Sequence, residues 1–145
     1  AAGRIRAIGV SNFMPHHIDM LMEDAKVMPM GDQLKLCPGV TQPEITTYCR
    51  AHGIAIEAYS PLGTGAALKS PQLNALSEKY GRSAGQLCLR WAVQMGFIPL
   101  PKSVTPARIR ENLDVFDFSL APEDMALISG LNCCEPAIDP DTIHF

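Results

Sequence analysis

No run of this sequence approaches the ~18 consecutive apolar residues that a membrane-crossing helix needs, and the opening AAGRIRAIGV does not read as a signal peptide. There is no block of like charges either: 12 Lys and Arg stand against 15 Asp and Glu, a formal net charge of −3. That balance argues against a nucleic-acid or polybasic membrane surface. No C-x-x-C pair occurs among the five cysteines, Cys37, Cys49, Cys88, Cys133 and Cys134. The adjacency of Cys133 and Cys134 suits neither a zinc site nor a disulfide framework, so free thiols in a reducing cytoplasm are expected. His16, His17 and His144 read as surface or helix residues, and no metal set is visible. Also missing are a G-x-G-x-x-G loop and a Walker lysine motif: the first β-rich run passes into GVSNF. A doubly wound nucleotide fold would carry a glycine-rich turn at that point.

What is present is a folded-protein composition, 47% hydrophobic and 19% charged over 145 residues, enough for one domain with a real core. Four short β-rich runs recur, each followed by helical signals. IRAIGV (5–10) precedes a helix over about 15–25, where Ile18, Leu21 and Met22 share helical spacing. MPMGDQLKL (28–36) precedes a helix opened by a Thr41–Glu44 capping box and closed at Gly53. IAIEAYS (54–60) reads as a strand buried on both faces. Two helices follow it, one from Ser70-Pro71 to Gly81, the other from a Ser83–Gln86 capping box through Trp91 to Gly96. FIPLP (97–101) precedes a helix begun by Thr105-Pro106, and a last helix covers about 122–131. The proline-rich tail CCEPAIDPDTIHF is expected to lie over the surface as a loop.

Strands alternating with helices imply α/β architecture, four βα units with parallel strands. Either an open doubly wound sheet or part of a (βα)8 barrel fits. The missing phosphate loop weakens the first, and a whole barrel needs roughly 200 residues or more.

In parallel α/β folds, ligands lie at the carboxyl ends of the strands. There the runs carry Ser11-Asn12, then Gln33 flanked by Asp32 and Lys35, then Tyr59-Ser60-Pro61-Leu62-Gly63, then Lys102-Ser103. Ser, Asn and Gln suit a carboxamide, and Tyr59 offers a face for a planar ring. Lys102 and Ser103 precede a helix whose free N–H groups favour anions. Arg108 and Asn112, four apart, share a face of that helix, and the planar fork of Arg suits phosphate. Together they describe a flat, amide-bearing, anionic ligand.

GRIRAIGVSNF, the pair at 32 and 33, AYSPLG, LRWAVQMG, PKSVTPARIREN and VFDFSLAPEDM, spread over about residues 3 to 131, closely resemble the aldo-keto reductase family. DPDTIHF resembles the ends of bacterial members. The resemblance implies the second half of a (βα)8 TIM barrel: one partial domain over 1–145, strands five to eight, with 132–145 as C-terminal tail. It also implies NADPH bound in an extended pose. By position, Ser11, Asn12 and Gln33 match the residues that hold the nicotinamide carboxamide, and Tyr59 the aromatic that stacks on the ring. Ser60 and Leu62 match the loop along the pyrophosphate. Lys102, Ser103, Arg108 and Asn112 match the set for the 2′-phosphate and adenine, with Val104 and Glu111 beside them.

The departures are as informative. The family's catalytic Tyr, Lys, Asp and His lie on the barrel half that this chain does not contain, and Tyr48, Tyr59, Tyr80 and the histidines sit in no matching motif. The usual Asn-Gln pair reads Asp32-Gln33, which compromises a carboxamide contact, and Gly31, Lys35 and Cys37-Pro38-Gly39 are unusual nearby. The expectation is therefore a truncated chain. It would be the C-terminal, cofactor-binding half of an NADPH-dependent oxidoreductase that reduces aldehydes or ketones, inactive alone, with a non-catalytic nucleotide-binding or assembly module as the alternative. A start at Ala1 without methionine favours a fragment or processed chain. Four strands would leave two open edges, so the missing N-terminal half or a second copy is the expected partner, with a rearranged sheet as the third outcome.

Overall fold

The computed structural model describes residues 3–143, so His144 and the last residue of the tail lie outside it. Its strands are β1 (Gly9–Ser11), β2 (Gly31–Lys35), β3 (Ala55–Tyr59) and β4 (Ile98–Leu100). They form one parallel sheet in the order β1-β2-β3-β4. Its helices are α1 (Pro15–Asp24), α2 (Pro43–Ala51), α3 (Pro71–Tyr80), α4 (Ala84–Gln94), α5 (Pro106–Leu113) and α6 (Pro122–Ser129). The expected α/β fold of four βα units, a partial (βα)8 barrel, is what the chain adopts.

The two-residue period of a strand divides the sheet into unlike faces. Asp32, Leu34, Ile56 and Ala58 point to the helices and are buried, in one core with Ile18 of α1, Ile45 of α2, Leu73 of α3, Leu87 and Trp91 of α4 and Ile128 of α6. The opposite face carries Ser11, Gln33, Lys35, Glu57 and Tyr59 and remains open or half-open. IAIEAYS is therefore not buried on both faces: Ala55 is exposed and Glu57 half-buried, because among the described residues nothing closes that side.

The strands are also shorter than the β-rich runs. The β1–β2 ladder starts at Gly9 opposite Gly31; Pro29, lacking an N–H, sits just ahead of it. Pro99 is tolerated within β4 because that strand is an edge.

Two caps form as expected. The Ser70 hydroxyl accepts from the Leu73 N–H, and Ser83 and Gln86 complete a reciprocal capping box. Gly81 ends α3 in the left-handed conformation. The Thr41–Glu44 box does not form. Pro43 takes the first helical position, making Gln42 the cap residue at φ 43°, and its side chain turns back to donate to the Lys35 carbonyl at 2.8 Å. That helix ends at Ala51, two residues before Gly53.

The tail is mostly irregular, as expected, with one short helical turn at Pro140–Thr142. It is held down at both ends. Lys35 Nζ donates to the Pro136 carbonyl at 3.1 Å, and Asp141 accepts from His17 at 2.7 Å. Gly39 (φ +81°) packs against the start of this tail, where an added Cβ would lie 1.8 Å from the Leu131 carbonyl oxygen. Gly53 (φ +67°) faces nothing within 4 Å. Gly53→Ala should therefore cost only the left-handed backbone term, about 1 kcal/mol. Gly39→Ala should cost at least about 2 kcal/mol more and loosen the tail, since backbone must move. Thermal unfolding of the two variants side by side checks this, and equal losses would refute it.

Candidate functional site

The carboxyl ends of the strands bring the expected polar groups to one rim. Ser11 Oγ donates to the Gln33 carbonyl at 3.0 Å, and Asn12 Nδ2 lies 3.4 Å from Ser11 Oγ. Gln33 Nε2 donates to Glu57 Oε2 at 2.8 Å across the ladder. Tyr59 lies on the same face, in register with Lys35 and Leu100. Asn12 (φ 56°) and Ser60 (φ 50°) both take left-handed backbone where their strands end, a form of strain that concentrates at functional sites. Glu57 was not among the expected site residues. Its signal was the single charge interrupting the apolar run IAIEAYS.

A second feature lies beyond β4. A cleft of about 510 Å³ is lined by Leu62, Lys102, Ser103, Val104, Arg108, Glu111 and Asn112, all expected site residues. Leu68, Ser83, Ala84, Gly85 and Thr105 complete it and were not anticipated. The overlooked signal was the Ser83 cap, because the cleft lies between the starts of α4 and α5. No side chain caps α5, so its first-turn N–H groups remain available to an outside acceptor. Ser103 Oγ accepts from the Thr105 N–H at 3.1 Å. The Glu111 carboxylate accepts from the Ser83 hydroxyl and is thereby tied across the cleft. Lys102 and Arg108, at the mouth, form no ion pair among the described residues. Ser60 does not line this cleft, whereas Leu62, two residues on, does.

Asp32 does not belong to either group. Adjacent residues on a strand face opposite ways, so Gln33 points to the open face and Asp32 points into the core, fully buried. The carboxylate thus points away from the rim that carries Gln33. Among the described residues, neither carboxylate oxygen has a hydrogen-bond partner. Burial pushes its pKa from 3.8 up to about 6, opposed by nearby backbone of Phe13 and Asn12 that falls short of hydrogen-bond geometry.

Other reactive side chains are occupied. His16, His17 and Asp141 bring their ring nitrogens and carboxylate within 4.8 Å of one another. His17 Nδ1 accepts from the Met14 N–H at 3.0 Å, so its Nε2 carries the proton and donates to Asp141. A metal on Nε2 would require the proton on Nδ1, where Met14 already donates. The cluster is a clasp holding the tail. Tyr80, Lys79 and Asp124 gather at the ends of α3 and α6, but Lys79 and Tyr80 both donate to Asp124, and burial first, then that carboxylate, raises the phenol pKa. A phenol held so is a poorer acid. The five cysteines are free thiols, with Cys49, Cys133 and Cys134 pushed up to about 11 by burial. Among the described residues, no helix is long and apolar enough to cross a membrane.

The model of the aldo/keto reductase family matches residues 1–132. The chain belongs to that family. Glyoxal reductase of Bacillus subtilis is 47% identical over 144 residues, covering 99% of this chain and 52% of the reductase. A crystal structure of a Gox0644 mutant in complex with NADPH superposes with a TM-score of 0.91 at 37% identity, over 99% of this chain and 54% of that one. The Bombyx mori aldo-keto reductase AKR2E4, in complex with NADP, gives 0.78 at 40% identity, over 86% of this chain and 44% of that one. This aldo/keto reductase chain therefore spans about half the length of the relatives it matches.

The buried Asp32 has a measurable consequence. Because the folded state favours the neutral acid, the unfolded chain binds fewer protons between the two pKa values, and stability falls as pH rises from 3.8 through about 6. Asp32→Asn should thus gain on the parent chain by about 2 kcal/mol between pH 4.5 and pH 7.5. Denaturant unfolding across that range tests it, and a constant difference would show that Asp32 does not titrate in the fold.

Proposed function

We propose that this chain is the C-terminal, cofactor-binding half of an NADPH-dependent aldo/keto reductase. It forms a single partial barrel domain over 1–145, supplies strands five to eight and carries 132–145 as its tail. The observation that carries the reading is the cleft in which Lys102, Ser103 and Arg108 meet at the uncapped start of α5. Two cations, a hydroxyl and free N–H groups converging there fit the 2′-phosphate of NADPH, the group that NADH lacks. Val104, Glu111 and Asn112 would flank the adenine, while Ser60 and Leu62 would pass along the pyrophosphate. Ser11, Asn12 and Gln33 would hold the carboxamide, and Tyr59 would lie against the nicotinamide ring. The crystal structures of relatives with NADPH and NADP support the cofactor choice.

When bound, the dinucleotide supplies a hydride. This chain's own residues bind and orient it: charge at α5 fixes one end, and the amide groups at β1 and β2 fix the other. Gln33 is held by Glu57 at 2.8 Å, which presets its side chain on the open face. The proton for an alkoxide would come from the other half, because Tyr48 donates to Asp19 at 2.5 Å and Tyr80 to Asp124, both away from the rim. The substrate would be a small aldehyde or ketone once the barrel is complete. The unpaired thiols favour a reducing compartment such as the cytoplasm. Should the other half never be present, the same contacts would leave a nucleotide-binding module without chemistry.

Lys102→Met combined with Arg108→Ala should weaken NADPH roughly a hundredfold, with NADH changed less than about threefold. Fluorescence titration reads both, and equal loss for the two cofactors would overturn the phosphate assignment. NADPH oxidation with an aldehyde panel should be absent for this chain and present when a preceding half is restored. Turnover by the chain alone would show that its own residues suffice.

A further inference from the structure

Thiols from stretches far apart in the chain gather beside Gly63. Cys37 lies just beyond β2, Cys88 on α4, and Cys133 and Cys134 at the start of the tail. Cys133 Sγ and Cys134 Sγ stand 3.8 Å apart. Cys134 also lies beside Cys37, and Gly63 leaves the room for it. An added Cβ at Gly63 would collide with Cys134 Sγ and lie 3.7 Å from Cys37 Sγ. Cys88 senses the other three thiols through charge alone and makes no thiol contact with them. The cofactor reading uses none of these groups.

The three neighbouring sulfurs form a row. Cys134 is its middle member, while Cys37 and Cys133 interact only at longer range. A tetrahedral ion such as zinc needs a closed cage of four ligands. Among the described residues, His16, His17 and Asp141 are the one set of three such ligand atoms within 4.8 Å of one another, so no cage closes around the thiols. A row of sulfurs suits instead a soft ion that takes two or three ligands, and thiolates select such ions. Sulfurs at about 2.3 Å from one ion stand about 4 Å apart, close to the separation already present. Cys133 and Cys134 are half-buried and Cys37 is fully buried, so an ion can enter from the tail and come to rest out of water.

The charges also balance. Two thiols that bind one monovalent cation release two protons and leave one net negative charge. Lys35 lies near both Cys37 and Cys134 and offsets that charge. Its ammonium is held there by donating to the Pro136 carbonyl at 3.1 Å.

We propose that Cys37 and Cys134 form a binding site for one Cu(I) ion, with Cys133 as the adjoining third sulfur and Lys35 as the counter-charge. The bound ion links the end of β2 to the start of the tail. The site goes beyond the cofactor reading and requires nothing of the cleft at α5.

Anaerobic titration of the reduced chain with Cu(I), in competition with a chromophoric chelator, should give one ion per chain. Cys37→Ser and Cys134→Ser should each raise the dissociation constant at least about a hundredfold. Cys49→Ser, which alters the thiol beside Asp32, should leave it unchanged. Circular dichroism checks that the variants keep the fold. X-ray absorption on the copper-loaded, unmutated chain gives a readout free of mutation, and two or three sulfur neighbours are expected. A fourth sulfur, or a nitrogen or oxygen ligand, would overturn the proposal. So would the absence of a tight ion, or binding that survives Cys37→Ser, which would mark simple capture by the adjacent Cys133 and Cys134.

Discussion

The arrangement depends on a core built on one side of the sheet. With side chains alternating at a period of two, Leu34, Ile56 and Ala58 are committed to the helices, and each of the six helices except α5 contributes to the cluster they join. Burying a leucine or isoleucine side chain is worth roughly 1.5–3 kcal/mol, and the sum over this cluster outweighs the few contacts of the rim. Register and strand direction are therefore fixed by residues that never meet a ligand. A one-residue slip of β2 would place Leu34 on the open face and Gln33 in the core.

Once the strands are aligned, the position of the charged groups follows from connectivity. Lys102 and Ser103 follow β4 after Pro101, and α5 begins three residues beyond Ser103. Partial charge at a helix start contributes about 0.3–1 kcal/mol towards an anion. A hydrogen bond to a charged side chain contributes about 1.5–3 kcal/mol. On the proposed reading, Lys102 and Arg108 would therefore dominate the hold on the phosphate, and the helix start would add direction. The link from Glu111 to Ser83 matters because it holds a carboxylate across the cleft rather than against the two cations.

Much of this was legible from the sequence where the signals are local. The caps at Ser70 and Ser83 depend on residues within one turn, and both form. PKSVTPARIREN carries Lys102, Arg108 and its helix start within one short stretch, and both of these cations line the cleft. Thr41–Glu44 failed for an equally local reason, since Pro43 shifted the helix start by one residue. The direction of Asp32 was itself readable: two neighbours on a strand face opposite ways, and the alternation Asp32, Leu34, Leu36 already assigned the buried side. The clasp between His17 and Asp141 lies 124 residues apart in the chain, and the Gln33–Glu57 bond depends on strand register. Neither leaves a mark within a sequence window. The double burial expected of IAIEAYS assumed that both sides of the sheet were covered, and only the helix side is.

The open face also explains why recognition and chemistry separate so cleanly on the proposed reading. In a (βα)8 barrel, reacting groups come from the ends of several different strands around the rim. The contacts assigned to the phosphate and adenine all come from the unit of β4 and α5, so they survive in half a barrel. Those assigned to the nicotinamide come from β1, β2 and β3 and face a side with nothing opposite among the described residues. A ligand end held by Lys102 and Arg108 needs no partner half. A ring lying on Tyr59 needs a wall across the rim to exclude water and to bring a proton donor within reach. The same missing wall leaves the strand edges bare, so what would complete the chemistry and what would protect the fold are one surface.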